Sequence, residues 1–170
     1  MIPKGFIEAA PFHALRVECH RPAGQQGWTD GYTHNVVVDQ GKGFLLNRVF
    51  GGGTASSVGA FLQLHSATTA SNHVWSNISA SQVASYGANV PLVSFATSYT
   101  NGLATQTASY AFTAGTQTVS GAALQFYTTN TMSTNAATAG ILHYAEGLFA
   151  ASRQVLNGDS LSVSLSVSYA

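Results

Sequence analysis

The stretch from Ser160 to Tyr169 alternates without a fault, with Leu161, Val163, Leu165, Val167 and Tyr169 set against Ser160, Ser162, Ser164, Ser166 and Ser168. A period of two puts every apolar side chain on one side of an extended chain, whereas a helix would scatter them around its axis. The segment is therefore a strand with one buried face. Asn157-Gly158 supplies a tight turn into it, which pairs it with a strand around Arg153-Gln154-Val155-Leu156. Its serine face carries no charge, although exposed strand faces usually hold Lys or Glu that discourage unwanted pairing. That face is expected to be covered, or packed beside a neighbouring subunit.

The same alternation recurs upstream. Leu15, Val17 and Cys19 alternate with Arg16, Glu18 and His20, predicting a strand over 12–20. Arg21-Pro22-Ala23-Gly24 breaks it, and Gly24 to Gly31, with Trp28, reads as a loop. Further strands are expected at His34–Val38, Phe61–His65, from Leu92, and near 107–113, 117–127 and 140–146, with Asn101-Gly102 as a turn. Residues 42–50 predict a short helix with Leu45, Leu46 and Val49 on one face, ended by Gly51-Gly52-Gly53; a strand is the second reading. Ser79 followed by Gln82 resembles a capping box opening two helical turns to Tyr86, stopped at Gly87. The Ser/Thr-rich stretches 66–71 and 128–138 read as long connecting loops. Short strands at this spacing predict an all-β fold, an antiparallel β-sandwich with jelly roll as the leading topology, an N-terminal arm and one or two short helices. The glycine triplet suggests a division into an arm at 1–50, a docking segment, and a sandwich body at 51–170.

Charge decides what the surface can do. Of 12 charged residues, nine (Lys4, Glu8, Arg16, Glu18, Arg21, Asp30, Asp39, Lys42 and Arg48) precede position 49, and only Glu146, Arg153 and Asp159 follow. Charged residues make up 7% of the chain, against about 25% in an ordinary soluble domain. A free monomer normally stays soluble through mixed surface charge. The bare stretch from Val49 to Ala145 therefore argues for surface hidden against copies of the chain or a partner; the second reading is a hydroxyl- and amide-coated surface that stays hydrated, as on some secreted β proteins. The formal net charge of zero gives no field toward nucleic acid or an anionic membrane. No segment has the apolar length of a membrane helix, and the N-terminal residues lack the apolar core of a signal peptide. Cys19 is the single cysteine, which fits synthesis in a reducing host cytoplasm.

Candidate chemistry is thin. His13, Cys19, His20 and His34 cluster in sequence, but zinc needs closely spaced ligand pairs, and adjacent Cys19 and His20 point to opposite faces of a strand. His65, His73 and His143 are isolated and read as ordinary hydrogen-bonding residues. Glu146 and Asp159 are the only carboxylates of the body, and nothing in their spacing suggests a glycosidase pair. No Gly-x-Ser-x-Gly elbow occurs, and Gly51-Gly52-Gly53-Thr54 lacks a phosphate-binding ending. No catalytic residue, metal ligand or cofactor is expected.

Four stretches together resemble small virion structural proteins of tailed bacteriophages. They are Asn35-Val36-Val37-Val38 with Gly41 and Phe44-Leu45-Leu46; Phe61-Leu62-Gln63-Leu64-His65; Tyr86-Gly87-Ala88-Asn89-Val90; and Gly140-Ile141-Leu142 followed by Arg153-Gln154-Val155-Leu156-Asn157-Gly158-Asp159-Ser160-Leu161. The last is similar to the group's Arg-x-Val-x-x-Gly-Asp-x-Leu closing hairpin, while no arginine follows Tyr86, where the group often has one. The resemblance implies a non-enzymatic capsid decoration, cement or head-fibre protein on the virion surface. Its partners would be the major capsid protein or other virion proteins, and itself as a dimer or trimer. A receptor- or glycan-binding fibre module using Trp28, Trp75 and Tyr99, or a neck or tail adaptor, is the alternative.

Overall fold

The computed structural model describes residues 12–50, 59–67, 81–93, 103–127, 131–134 and 141–168. Among them lie eight strands and one helix: β1 (Phe12–His20), β2 (Trp28–Val37), α1 (Asp39–Phe50), β3 (Gly59–His65), β4 (Leu92–Val93), β5 (Leu103–Ala111), β6 (Thr116–Tyr127), β7 (Ile141–Leu156) and β8 (Ser160–Ser168). The chain is an all-β sandwich of antiparallel strands, in the order β4-β3-β6-β7-β2-β1-β8-β5. β2 belongs to both layers. Its first part pairs with β1 and its last residues, Asn35 to Val37, pair with β7. The pairs β1–β8, β2–β7 and β3–β6 are nested, outermost with outermost. A long antiparallel hairpin rolls up in this way, so the pairing is jelly-roll-like.

Alternation sets the register. β1 and β8 pair along all nine residues from Phe12↔Ser168 to His20↔Ser160, bringing Leu15 opposite Leu165 and Val17 opposite Val163. All four are essentially inaccessible, and each contributes about 1.5–3 kcal/mol by leaving water. They form one core with Leu62, Leu64, Ala122 and Leu124 of the facing layer. Tyr110 ties the layers together, its hydroxyl donating to the Leu62 carbonyl at 2.6 Å. β7 bends around this core. Val119 faces Arg153 but Gly121 faces Leu148, so residues 149–152 bulge opposite Ser120.

α1 confirms the helical reading of 42–50 and begins earlier, at Asp39, whose carboxylate suits the positive end of the helix dipole. Its contact differs from the expectation. Phe44 stacks on Phe126 with ring centroids 5.5 Å apart, while Leu46 points outward at 58% exposure. Of the helix expected over 79–86, Ser79 and Ala80 lie outside the described residues and Ser81 is in a 3-10 turn, but the rest is corrected: Gln82 bridges to His65 and the Val83 amide donates to the Leu64 carbonyl at 3.0 Å. A backbone already paired to a strand cannot also close helical turns. The loop expected over Gly24–Gly31 gives way to β2 at Trp28, because Thr29 and Asp30 pair with Glu18 and Val17.

The division at 50/51 is also corrected. β1 and β2 sit between β7 and β8, at the middle of the sheet, so residues 12–37 are part of the body. A chain cut at residue 30 lacks β1 and the start of β2, and its failure to bind a particle would report a lost sheet. Asn101-Gly102, Gly51-Gly52-Gly53, His73, Trp75 and Tyr99 lie outside the described residues.

Candidate functional site: an uncharged face and its edge

The outer face of β8 continues sideways into β5. Thr105 faces Ser166, Thr107 faces Ser164 and Ser109 faces Ser162. The first two pairs are hydroxyl-bonded, each with oxygens 2.9 Å apart. Thr105, Thr107 and Ser109 are exposed, Ser162 and Ser164 half-buried and Ser166 buried, so the face is open along β5 and around Ser162 and Ser164 and closes at Ser166. Alternation causes the arrangement: the register that buries Leu161, Val163 and Leu165 turns every intervening hydroxyl outward. On the other side of β8 the face meets β1, where Arg16 and Glu18 stand opposite Ser164 and Ser162 and neutralise each other in an ion pair. From β8 to the β5 edge there is no charge at all.

The charges of the body are used elsewhere, at the end of the sandwich where the β1–β2 connection meets the β7–β8 turn. Gly158, at φ +91°, makes that turn, and Asp159 follows it, buried to 1% exposure. Asp159 Oδ2 accepts from the Leu156 amide at 2.9 Å and lies 3.4 Å from Arg21 Nε. Beside it, Arg153 donates to Asp30 Oδ1 at 2.9 Å and lies over the Trp28 ring, 5.5 Å from its centroid. The Arg-x-Val-x-x-Gly-Asp-x-Leu stretch thus has a structural account: Arg153 is ion-paired with Asp30 and Asp159 with Arg21, and Val155 and Leu161 are fully buried. Trp28 is half-buried beneath Arg153, so it offers no open stacking platform for a sugar.

Cys19 joins this cluster, its thiol donating to Asp159 Oδ2 at 3.8 Å. Burial, reinforced by the Asp159 carboxylate and opposed by Arg21, pushes its pKa up from 9.0 to about 11. The thiol is therefore protonated and poorly nucleophilic at neutral pH. A raised folded-state pKa contributes stability that is complete below pH 9.0 and is lost as pH climbs toward about 11. Native protein is accordingly expected to react with iodoacetamide at pH 8 far more slowly than urea-unfolded protein. Equal rates in the two states would contradict this placement.

A second polar group lies on the outer side of the other layer. His65, Gln125, His143 and Glu146 are all 0% exposed. His143 Nε2 is 3.2 Å from Glu146 Oε2, and Gln125 stands opposite His143 across the β6–β7 ladder. Glu146 and Asp159, the two body carboxylates, thus have separate partners. Among the described residues no group of three or more His, Cys, Asp or Glu side chains is placed to hold a metal. Cys19 and His20 do point to opposite faces, one buried and one exposed. No described helix is long and apolar enough to cross a membrane. A shallow hollow of about 220 Å³ lies over the β7 bulge, lined by Ser120 and residues 148–152.

Sequence reasoning missed the Arg153–Asp30 pair and the burial of His65 and Gln125. It did single out the serine face. Comparison with known proteins finds no matching family model, no matching curated protein and no matching solved structure.

Proposed function

We propose that this protein is a non-enzymatic structural component that works by packing against copies of itself and against a larger protein assembly. The specific reading is a bacteriophage capsid decoration or cement protein on the outer capsid surface, with the major capsid protein as its other partner. The observation that supports self-packing is the hydroxyl face of β5 and β8, which is free of charge, exposed along β5 and half-buried at Ser162 and Ser164 of β8. Such a surface costs little to desolvate compared with a charged one, and its hydroxyls accept or donate to any partner that presents the same. The virion part of the reading is supported by the sequence resemblance. The body carboxylates and the Arg21 and Arg153 guanidiniums support a role without chemistry, since each already has a partner inside the fold.

Stabilisation of a shell would then come from contact area and hydrogen bonds summed over many copies. The test is co-sedimentation of the purified chain with undecorated shells of the phage that encodes it. Saturable binding at a fixed ratio to the major capsid protein, with shells surviving higher temperature, is the expected result. Binding to a glycan array with no binding to shells would favour the fibre-module reading instead.

A further inference from the structure

The turn from β7 into β8 places a chemically reactive dipeptide at the closing corner of the sandwich. Asn157 and Gly158 are both exposed, and Gly158 sits at φ +91°. The turn needs a glycine there, because a side chain is strained at that φ and its Cβ would press on the Pro22 ring at 3.2 Å. A glycine after an asparagine also leaves its backbone nitrogen sterically open, free to attack the asparagine side chain. In the folded chain that nitrogen is already engaged. The Gly158 amide donates to the Phe112 carbonyl at 2.9 Å, and the Asp159 amide donates to the Leu156 carbonyl at 3.0 Å. Phe112 donates in return to the Asp159 carbonyl at 2.9 Å, while Asp159 Oδ2 accepts from the Leu156 amide at 2.9 Å. These bonds hold the Asn157–Gly158 peptide from both sides.

We propose that Asn157 is a site of spontaneous deamidation, which the native turn keeps shut and which reacts when the turn opens. In the reaction the Gly158 nitrogen gives up its proton and bonds to Asn157 Cγ, closing a succinimide ring. The Cγ–Nδ2 bond breaks, and that nitrogen leaves as ammonia with the released proton. Water then cleaves one of the two imide C–N bonds. Cleavage at Cγ leaves aspartate, and cleavage at the backbone carbonyl leaves isoaspartate. Water is the only co-reactant, and nothing is oxidised or reduced. A nitrogen whose proton is held by the Phe112 carbonyl neither ionises readily nor swings toward Cγ, so the rate follows the fraction of time the turn is open. The two products have different consequences. Aspartate adds a charge in an exposed turn and leaves the backbone as it was. Isoaspartate routes the chain through the side chain and adds a backbone carbon inside a two-residue turn. Asp159 can then no longer meet Leu156, Phe112 and Arg21 together. Isoaspartate formation thus makes a transient opening of this corner permanent.

Asn101-Gly102 carries the same dipeptide, so conversion is followed site by site, by peptide mapping with isoaspartate detection on the full chain. At pH 8, Asn157 is expected to convert in guanidinium chloride and at least about tenfold more slowly in native buffer. Asn157→Gln, which would have to close a larger ring, is expected to remove the signal at this position in both. The Gly158 amide of the unsubstituted native chain is expected to be protected from hydrogen exchange. After denaturant is removed from converted material, isoaspartate at 157 should be depleted from the refolded fraction and aspartate at 157 retained. Absence of conversion at Asn157 in denaturant would overturn the site. Equal rates at Asn157 in native buffer and denaturant, or Gly158 exchange as fast as in the unfolded chain, would overturn the guard. Equal recovery of both products in the refolded fraction would overturn the lasting effect on the turn.

Discussion

Gly121→Ala is expected to destabilise the protein by about 3 kcal/mol, near the upper end for inserting one methyl into a packed site. A Cβ at this position would collide with the Gly147 carbonyl oxygen of β7 and would come within 2.6 Å of the His65 ring. The carbonyl belongs to a paired backbone and cannot swing aside. The His65 ring, fully buried over β6, has little room to retreat. Relief therefore requires parting β6 from β7, the ladder that carries His143 and Glu146. For a domain of this size the midpoint of thermal unfolding should fall by about 6–12 °C. Gly43→Ala, on α1 with nothing within 4 Å of an added Cβ, is the control. A thermal midpoint unchanged in Gly121→Ala would mean that His65 does not lie over β6 as described.

Asp159→Ala is expected to cost about 2–3 kcal/mol, read as a shift in the urea midpoint with an unchanged slope. One carboxylate oxygen serves the Leu156 amide, the Arg21 guanidinium and the Cys19 thiol together. Its removal strands all three at once. Breaking a fully buried ion pair costs about 3–5 kcal/mol; the lower figure applies here because the Arg21 side chain is 24% exposed and recovers some hydration. Asp159→Asn should recover part of the loss, since an amide oxygen still accepts from the Leu156 amide. The same substitution should bring Cys19 closer to an ordinary thiol by removing the neighbouring negative charge. A loss below about 0.5 kcal/mol, the range of ordinary surface changes, would show that the closing turn holds itself together without the carboxylate.

These two sites also show which parts of the fold can be read from sequence. The strand over 12–20 is legible to the residue, and the one from Ser160 along its whole described length, because one face of each is buried against the core and the other is more open. Alternation records that asymmetry directly. β3 gives the opposite lesson. Phe61, Gln63 and His65 alternate with Leu62 and Leu64, and all five are buried. The polar positions look like a solvent face but are enclosed, with Gln63 Nε2 within hydrogen-bond distance of the Leu64 and Val83 carbonyls and of the Tyr86 hydroxyl. A pattern of residue types reports polarity, and the Gln63 amide nitrogen finds its acceptors within the protein. The helical expectation ends at Ser81 for a related reason: pairing of Gln82 and Val83 with β3 outweighs the local preference for further helical turns.

The arm-and-body division failed because it was drawn from neighbours in sequence. Charge changes abruptly near position 49, but the fold does not. Cys19 lies 140 residues from Asp159, and the thiol touches that carboxylate. Long-range antiparallel pairing places β1 beside β8 and thereby locates most of the body's charge at one end of the sandwich. The hydroxyl face was legible as a composition and unreadable as a place. Only the register of β5 on β8 shows that Thr105, Thr107 and Ser109 extend the serine row to an edge.

This charge-poor sandwich is proposed to associate through its own surface. Sedimentation equilibrium of the purified chain across a hundredfold range of concentration, alone and with shells, tests it most directly. The account predicts discrete multiples of the 17.7 kDa chain mass, or a chain that sediments with the shells. A single 17.7 kDa species at every concentration, left behind when the shells pellet, would contradict it.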